Sequence, residues 1–256
     1  MDKKSFVNSI NFEDKTVIAS IFDKIMLAEK CGRTIYINEF LPPTLWGGVL
    51  RLKNQFSIEI EAYGVFEEAE RKMLVFTSSD IEEYPVHILK ITNKSHFNTL
   101  KHKDYLGSVM ALGIKREKLG DFVVSDNQCY VPVVSDITDY IKLNLQTVGK
   151  CPCDVEVISN KDIEISSASL EEIVIISSSS RVDCVIGALC NLSRTLAVEL
   201  ISRGKVLINH EPVYEKDKIM MDNSIITIRG YGKFKYCSVV GETSKSRLKI
   251  QIQKYK

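Results

Sequence analysis

No run of about 18 apolar residues occurs in the chain, so no helix long enough to cross a bilayer is expected. The opening MDKKSFVNSINFEDK has neither the apolar stretch nor the small-residue cleavage site of a secretory signal. Cysteines number seven, an odd count that argues against a closed disulfide framework and for a reducing cytoplasm. No Cys-x-x-Cys or His-x-x-x-His pair appears, and the four histidines, His87, His96, His102 and His210, are scattered. Cys151-Pro152-Cys153 puts one residue between two thiols, too few for a structural zinc site. Gly230-x-Gly232 lacks the following helix that a phosphate-cradling loop needs. The expectation is therefore a chain with no metal, no cofactor, no small-molecule substrate and no catalytic residue.

What is present is the composition of a core-forming protein: 256 residues, 45% hydrophobic and 26% charged. That length allows one large domain or two to three small ones. The net charge of +1 hides a segregation. From Arg181 onward there are fourteen Lys and Arg against seven Asp and Glu, so the excess of seven positive charges faces a body that is net acidic. A basic terminal module on an acidic body suggests a polyanionic partner contacted from one end.

Along the chain, the apolar spacing of the first thirty residues predicts a helix stopped at Gly32. TIYINEFL predicts a strand, PPTLWGGVLRLK a turn and short helix, and SIEIEAYGVF with RKMLVF two paired strands. VHILKIT (86–92) then predicts a strand, 96–113 a helix ending at Gly113, and DFVVS with QCYVPVV two strands joined by Asp126-Asn127. A helix over 136–149, capped by Ser135 or Asp136, and a strand over 153–159 complete a β-α-β-β-α-β order, the split βαβ of ferredoxin-like and RNA-recognition-motif domains. IEIS (163–166) and EIVIIS (172–177) are strand-like and could add to a sheet, and four serines, 177–180, suggest a short connection into a new domain. Beyond it RVDCVIGALC predicts one helix, with Val182, Val185, Ile186 and Leu189 inward. RTLAVELISR predicts a second, capped by Ser193, with Leu196, Ala197, Leu200 and Ile201 inward and Gly204 as its stop. KVLINHEPV and MMDNSIITIRGYG predict strands, with KFKYCSVV and RLKIQIQKY as edge strands. The fold class expected is α+β: an N-terminal α+β unit over 1–78, a ferredoxin-like domain over 79–160, a linker over 161–180 and a basic module over 181–256.

The run LSRTLAVELISRGKVLINHEPV (192–213) resembles the core of the S-four RNA-binding domain, through Leu192-Ser193-Arg194, Ala197, Leu200-Ile201, Gly204-Lys205-Val206 and Asn209. Over nearly its whole length the chain is similar to the YlmH family of Gram-positive bacteria, through FLPP (40–43), EAERKM (68–73), LKHKDYLGSVMALGIKREKLGD (100–121) and RGYGKFK (229–235). His102-Lys103-Asp104 stands where the family has His-Arg-Asp, and Arg181-Val182-Asp183 where it has Arg-Leu-Asp. The resemblance implies a cytoplasmic, monomeric, ribosome-associated protein that binds ribosomal RNA and tRNA on the large subunit, in rescue or quality control of stalled translation. Pseudouridine synthases use an Arg-Leu-Asp run catalytically. Only 73 residues follow Asp183, too few for a synthase domain, so Asp183 is expected to cap or salt-bridge its helix.

Physical chemistry places the RNA surface on the same module. Ser193 caps the second helix, whose N-terminal amides favour phosphate, and Arg194 adds a planar fork. Arg181, Arg203, Lys205, Arg229, Lys233 and Lys235 complete the expected cluster, with Asn209 as a candidate that fits a turn better than a base reader. Arg203 could equally complement the helix dipole. Lys245, Lys249, Lys254 and Lys256 fit edge-strand protection better than contact. RGYGKFKY approaches the RNA-recognition-motif signature but holds Lys233 where a stacking ring belongs, and no further helix and strand follow it. In the central domain His102, Lys103, Lys115, Arg116 and Lys118 are secondary candidates for backbone phosphate, weighed against an ordinary charged helix end. Its strands carry only Tyr130 for stacking.

Overall fold

The computed structural model describes residues 1–66, 69–81, 83–95, 97–159 and 170–255. The chain divides into two compact units, 1–165 and 166–256. Among the described residues no single helix is long and apolar enough to cross a membrane.

The first unit begins with two helices where the apolar spacing alone predicts one: α1 (Lys3–Ser9) and α2 (Lys15–Cys31). Aspartates cause the break. Asp2 accepts the Ser5 amide at 2.7 Å and Asp14 the Thr16 amide at 2.9 Å, so each carboxylate starts its own helix. Gly32 stops α2 in the left-handed conformation at φ 63°. Pro43 opens α3 (Pro43–Arg51), as its fixed φ favours. The expected strand TIYINEFL shortens to β1 (Ile35–Tyr36). It lines up with β3 (Met73–Thr77) and β2 (Glu59–Tyr63) in the order β1-β3-β2. Phe6, Ile18, Ile25, Val49 and Phe76 are fully buried between helices and sheet.

The same unit continues through β4 (Val86–Asn93), α4 (His102–Met110), β5 (Val123–Ser125), β6 (Gln128–Val134), α5 (Thr138–Asn144), β7 (Thr147–Val148) and β8 (Cys151–Ile158). Their sheet runs β5-β6-β4-β8-β7 with every pair antiparallel, and the β5–β6 turn holds Asp126 at φ 52°. Both helices are shorter than predicted. Helix α4 starts at His102 because Asp104 reaches back to the Lys101 amide at 2.8 Å. Neither Ser135 nor Asp136 caps α5; the Asp136 carboxylate instead receives Lys118 at 2.9 Å and Asn38 at 3.2 Å. The inner face of the sheet, with Leu89, Ile91, Val131 and Cys129, packs on Tyr105, Val109 and Ile141 of the helices.

Residues from both sides of position 78 share one joint within this unit. Phe40 and Met73 pack on Val134 of β6. The Phe40 amide donates to the Glu117 carbonyl at 2.6 Å, and the Arg71 guanidinium donates to the Phe40 carbonyl. Asp121 accepts the Glu70 and Arg71 amides at 2.6 and 3.0 Å. Gly120 is needed here: a Cβ would lie 3.0 Å from Pro132 and 3.3 Å from the Phe40 ring. FLPP, the described part of EAERKM, and the end of the 100–121 run thus meet at one place; Glu68 lies outside the described residues.

The second unit is a six-stranded antiparallel sheet with two helices on one face. Its elements are β9 (Leu170–Ser177), α6 (Val182–Cys190), α7 (Arg194–Ser202), β10 (Val206–Ile208), β11 (Glu211–Pro212), β12 (Ser224–Ile228), β13 (Gly232–Glu242) and β14 (Leu248–Tyr255). The sheet order is β11-β10-β12-β13-β14-β9. Two expectations are corrected. Of the linker over 161–180, residues 161–169 lie outside the described residues, and 170–177 form β9, paired with β14 from Tyr255–Leu170 to Leu248–Ser177. Its Ile173 and Ile175 complete the apolar layer, which is why this segment joins the sheet. As a result β13 and β14 are interior strands rather than edges, and Lys249 and Lys254 do not protect an edge; Lys256 lies outside the described residues. Val182, Val185 and Ile186 of α6 and Ala197 and Ile201 of α7 bury against Ile226, Phe234, Tyr236 and Ile252. Leu196, expected inward, is 47% exposed.

Candidate nucleic-acid interface

Helix α6 begins beside the loop that follows β11. The Val182 and Asp183 amides donate to the Lys218 and Lys216 carbonyls at 2.9 and 3.0 Å, so the start of this helix is already satisfied by the chain. Helix α7 starts differently. Ser193 accepts the Leu196 amide at 3.3 Å, the cap expected from the sequence, and Arg194 follows as its first residue.

Between the two helix starts sits Asp183, with no solvent exposure. Its Oδ1 accepts Arg181 Nε at 3.1 Å and the Cys184 amide at 3.0 Å. Its Oδ2 accepts Arg181 Nη2 at 3.1 Å and Arg194 Nε at 3.0 Å. The salt-bridging role expected of Asp183 is what the structure has. Four donors thus occupy this buried carboxylate. Burial pushes its pKa up, but the hydrogen bonds from Arg181, Arg194 and Cys184 outweigh burial and hold it at about 2.

A pH dependence follows. A pKa lowered from 3.8 contributes stability fully present above about pH 4, and lost as pH falls towards 2. Acid titration of Asp183→Asn beside the wild type, followed by circular dichroism, should give curves that converge at the acid end. Curves staying equally far apart down to about pH 2 contradict the assignment.

The remaining expected residues divide between two places. Arg203 ends α7 and pairs with Glu199 one turn back, so its charge is used within the helix. Gly204 takes φ 63°, and the Lys205 amide returns to the Leu200 carbonyl at 3.0 Å, closing the helix. Lys205 stands opposite Arg229, whose amide donates to the Lys205 carbonyl at 2.9 Å. Lys233 and Lys235 alternate along β13 with the buried Phe234 and Tyr236, so they project from the sheet face opposite the helices. The Lys233 ammonium lies 4.1 Å from the centre of the Tyr255 ring. One continuous cluster was expected; the structure instead gives Arg181 and Arg194 at the helix starts and Lys233 and Lys235 on the far face. Asn209 is the turn residue, with φ 49° and its Oδ1 accepting the Ile225 amide at 2.9 Å.

Sequence reasoning passed over Lys216 and Lys218, exposed in the loop whose carbonyls receive the start of α6. Only the alternating run Glu215-Lys216-Asp217-Lys218 marks them, and no periodicity ties that run to a helix 33 residues earlier. Ile219 and Met221, 60% and 76% exposed, flank the same loop.

In the first unit His102, Lys103 and Lys115 are exposed, and the His102 ring meets Phe122 edge-on at 5.7 Å. Arg116 and Lys118 are not the solvated cations expected. Arg116 donates to the Leu119 and Gly120 carbonyls, and burial together with nearby Arg71 pushes its pKa down to about 10. Lys118 is spent on Asp136 and the Asn38 carbonyl. The outer face of the β4–β6–β8 sheet sets Lys90 between Tyr130 and Glu156, and Thr92 between Gln128 and Asp154. One ring among two acids is a poor stacking platform for bases.

Comparison with known proteins adds three findings. Residues 79–162 match the family described as "Putative RNA-binding domain in YlmH". Over 224 residues the chain is 24% identical to "Ribosome-associated protein quality control protein P2" of Bacillus subtilis (strain 168), an alignment spanning 86% of this chain and 87% of that protein. Among solved structures it resembles "Cell division protein ylmH from Streptococcus pneumoniae", with a TM-score of 0.50 and 18% identity, over 60% of this chain and 96% of that one. At that identity the last likeness speaks for the mixed α and β fold alone.

Proposed function

The chain belongs to the YlmH family, and from that premise we propose that it is a non-catalytic, cytoplasmic RNA-binding protein of the ribosome. It acts on the large subunit, where it contacts ribosomal RNA and tRNA, in rescue or quality control of stalled translation. The second unit is its principal RNA-binding module, of S-four type, and the βαββαβ part of the first unit is related to RNA-recognition motifs in connectivity. The observation that carries the reading is the pair of guanidiniums, Arg181 and Arg194, presented at adjoining helix starts on a unit whose fourteen Lys and Arg outnumber its nine Asp and Glu. Phosphate is the ligand such a pair suits. The ribosome-associated relative, aligned over most of both chains, supports the choice of ribosomal RNA over other polyanions.

A second reading, an adaptor in cell division, takes its support from the printed name of the similar pneumococcal structure. Ultraviolet crosslinking of the full chain in cells, followed by sequencing of the attached RNA, separates the two. Crosslinks concentrated in ribosomal RNA and tRNA are expected. Crosslinks absent from both, with the protein recovered on division-site partners, contradict the ribosomal reading.

A further inference from the structure

Asp183 presents a puzzle of sign. A module that attracts RNA through positive charge carries, between its two best-placed arginines, a carboxylate that cancels part of that charge. The carboxylate is fully buried, so nothing in the solvent requires it. What it does require is partners, since an unpaired buried carboxylate is strongly disfavoured. Those partners are Arg181, gripped through two nitrogens, and Arg194, gripped through Nε alone. The Arg194 terminal nitrogens make no hydrogen bond among the described residues, and its side chain remains 66% exposed while its Nε is fixed. Arg181 keeps Nη1 and 31% exposure. An arginine free in solvent must give up rotamer freedom each time it grips a phosphate. Two arginines tied by a common buried anion have lost that freedom on folding.

We propose that Asp183 is a positioning residue whose buried carboxylate sets the Arg181 and Arg194 guanidiniums side by side as one preorganised fork for an RNA phosphate, an inference that rests on the RNA-binding reading above. It touches no RNA itself. Its contribution is orientation, and it comes at the expense of one unit of attractive charge.

Two simpler accounts give different outcomes. If only summed charge mattered, Asp183→Asn would bind RNA more tightly, with a steeper salt dependence. If Asp183 were merely structural, its replacement would weaken binding whether or not the arginines were present. The test uses the full chain and purified large ribosomal subunits as the probe, with affinity read by pelleting. Asp183→Asn is expected to bind about tenfold more weakly than wild type. Added to the Arg181→Ala and Arg194→Ala double variant, it should change affinity less than about twofold, because the residues it acts through are gone. Arg194→Lys, which keeps the charge but offers no planar fork, should show a loss of similar size with the fold intact by circular dichroism, and it decides the matter if Asp183→Asn does not fold. Tighter or unchanged binding by Asp183→Asn, a further large loss in the triple variant, or unchanged binding by Arg194→Lys each overturns the proposal. A wild-type chain that fails to pellet with the subunits overturns the RNA-binding reading and the inference together.

Discussion

Replacing Arg194 and Lys205 together by glutamate is expected to weaken ribosome association by about 100-fold or more at physiological salt. Each substitution removes a phosphate-neutralising cation and installs a repelling anion, a change of four charges on one module. The two positions differ in what else they disturb. A glutamate at 194 would face the buried Asp183 carboxylate, whereas Lys205 is exposed beyond the turn at Gly204. Arg194→Ala combined with Lys205→Glu therefore serves as a companion, expected to lose less affinity in the same direction and to lower the melting temperature less than the double glutamate variant, because it withdraws one partner from Asp183 without facing it with a second carboxylate. Wild-type pelleting by both combinations would remove the second unit from the RNA interface.

The largest effect on stability is expected at Tyr236. It is 1% exposed, packs beneath both helices, and its hydroxyl lies 3.1 Å from Ser180 Oγ in the turn that leads into α6. Tyr236→Ala leaves a large cavity and should destabilise the second unit by about 3–5 kcal/mol. For a module of this size that is a fall in Tm on the order of 15–30 °C. Tyr236→Phe removes only the hydroxyl contact and should cost about 1 kcal/mol. Because the chain forms two compact units, differential scanning calorimetry should show the loss in one transition, with the other unmoved. Equal displacement of both transitions contradicts the division.

How much of this was legible in the sequence depends on whether the signal was local. The β4 to β8 order could be read because strands alternate with a period of two and Asp126-Asn127 announces its turn. The second helix of the basic module could be read because Ser193, Ala197, Ile201 and Gly204 each do one local job: a cap, two buried contacts and a helix stop. Signals that depend on distant partners were not available. Arg116 looked like a loop cation because nothing near it in sequence discloses the burial and the distant Arg71 that surround it, although the carbonyls it grips, Leu119 and Gly120, are its near neighbours. The strand character of EIVIIS within 170–177 could be read from its alternation, but not the strand it joins, which lies some 75 residues later, so the segment fell inside the expected linker. Lys233 and Lys235 were assigned to the same surface as Arg194 on charge alone, and only the register of β13 shows that they leave the sheet on the other side.

Co-sedimentation of the wild-type chain with purified ribosomal particles at low and high salt tests the central claim most directly. The account predicts that the chain travels with the large subunit at low salt and is released steeply as salt rises, as a contact made through several phosphates requires. Failure to travel with any ribosomal particle at low salt would contradict it.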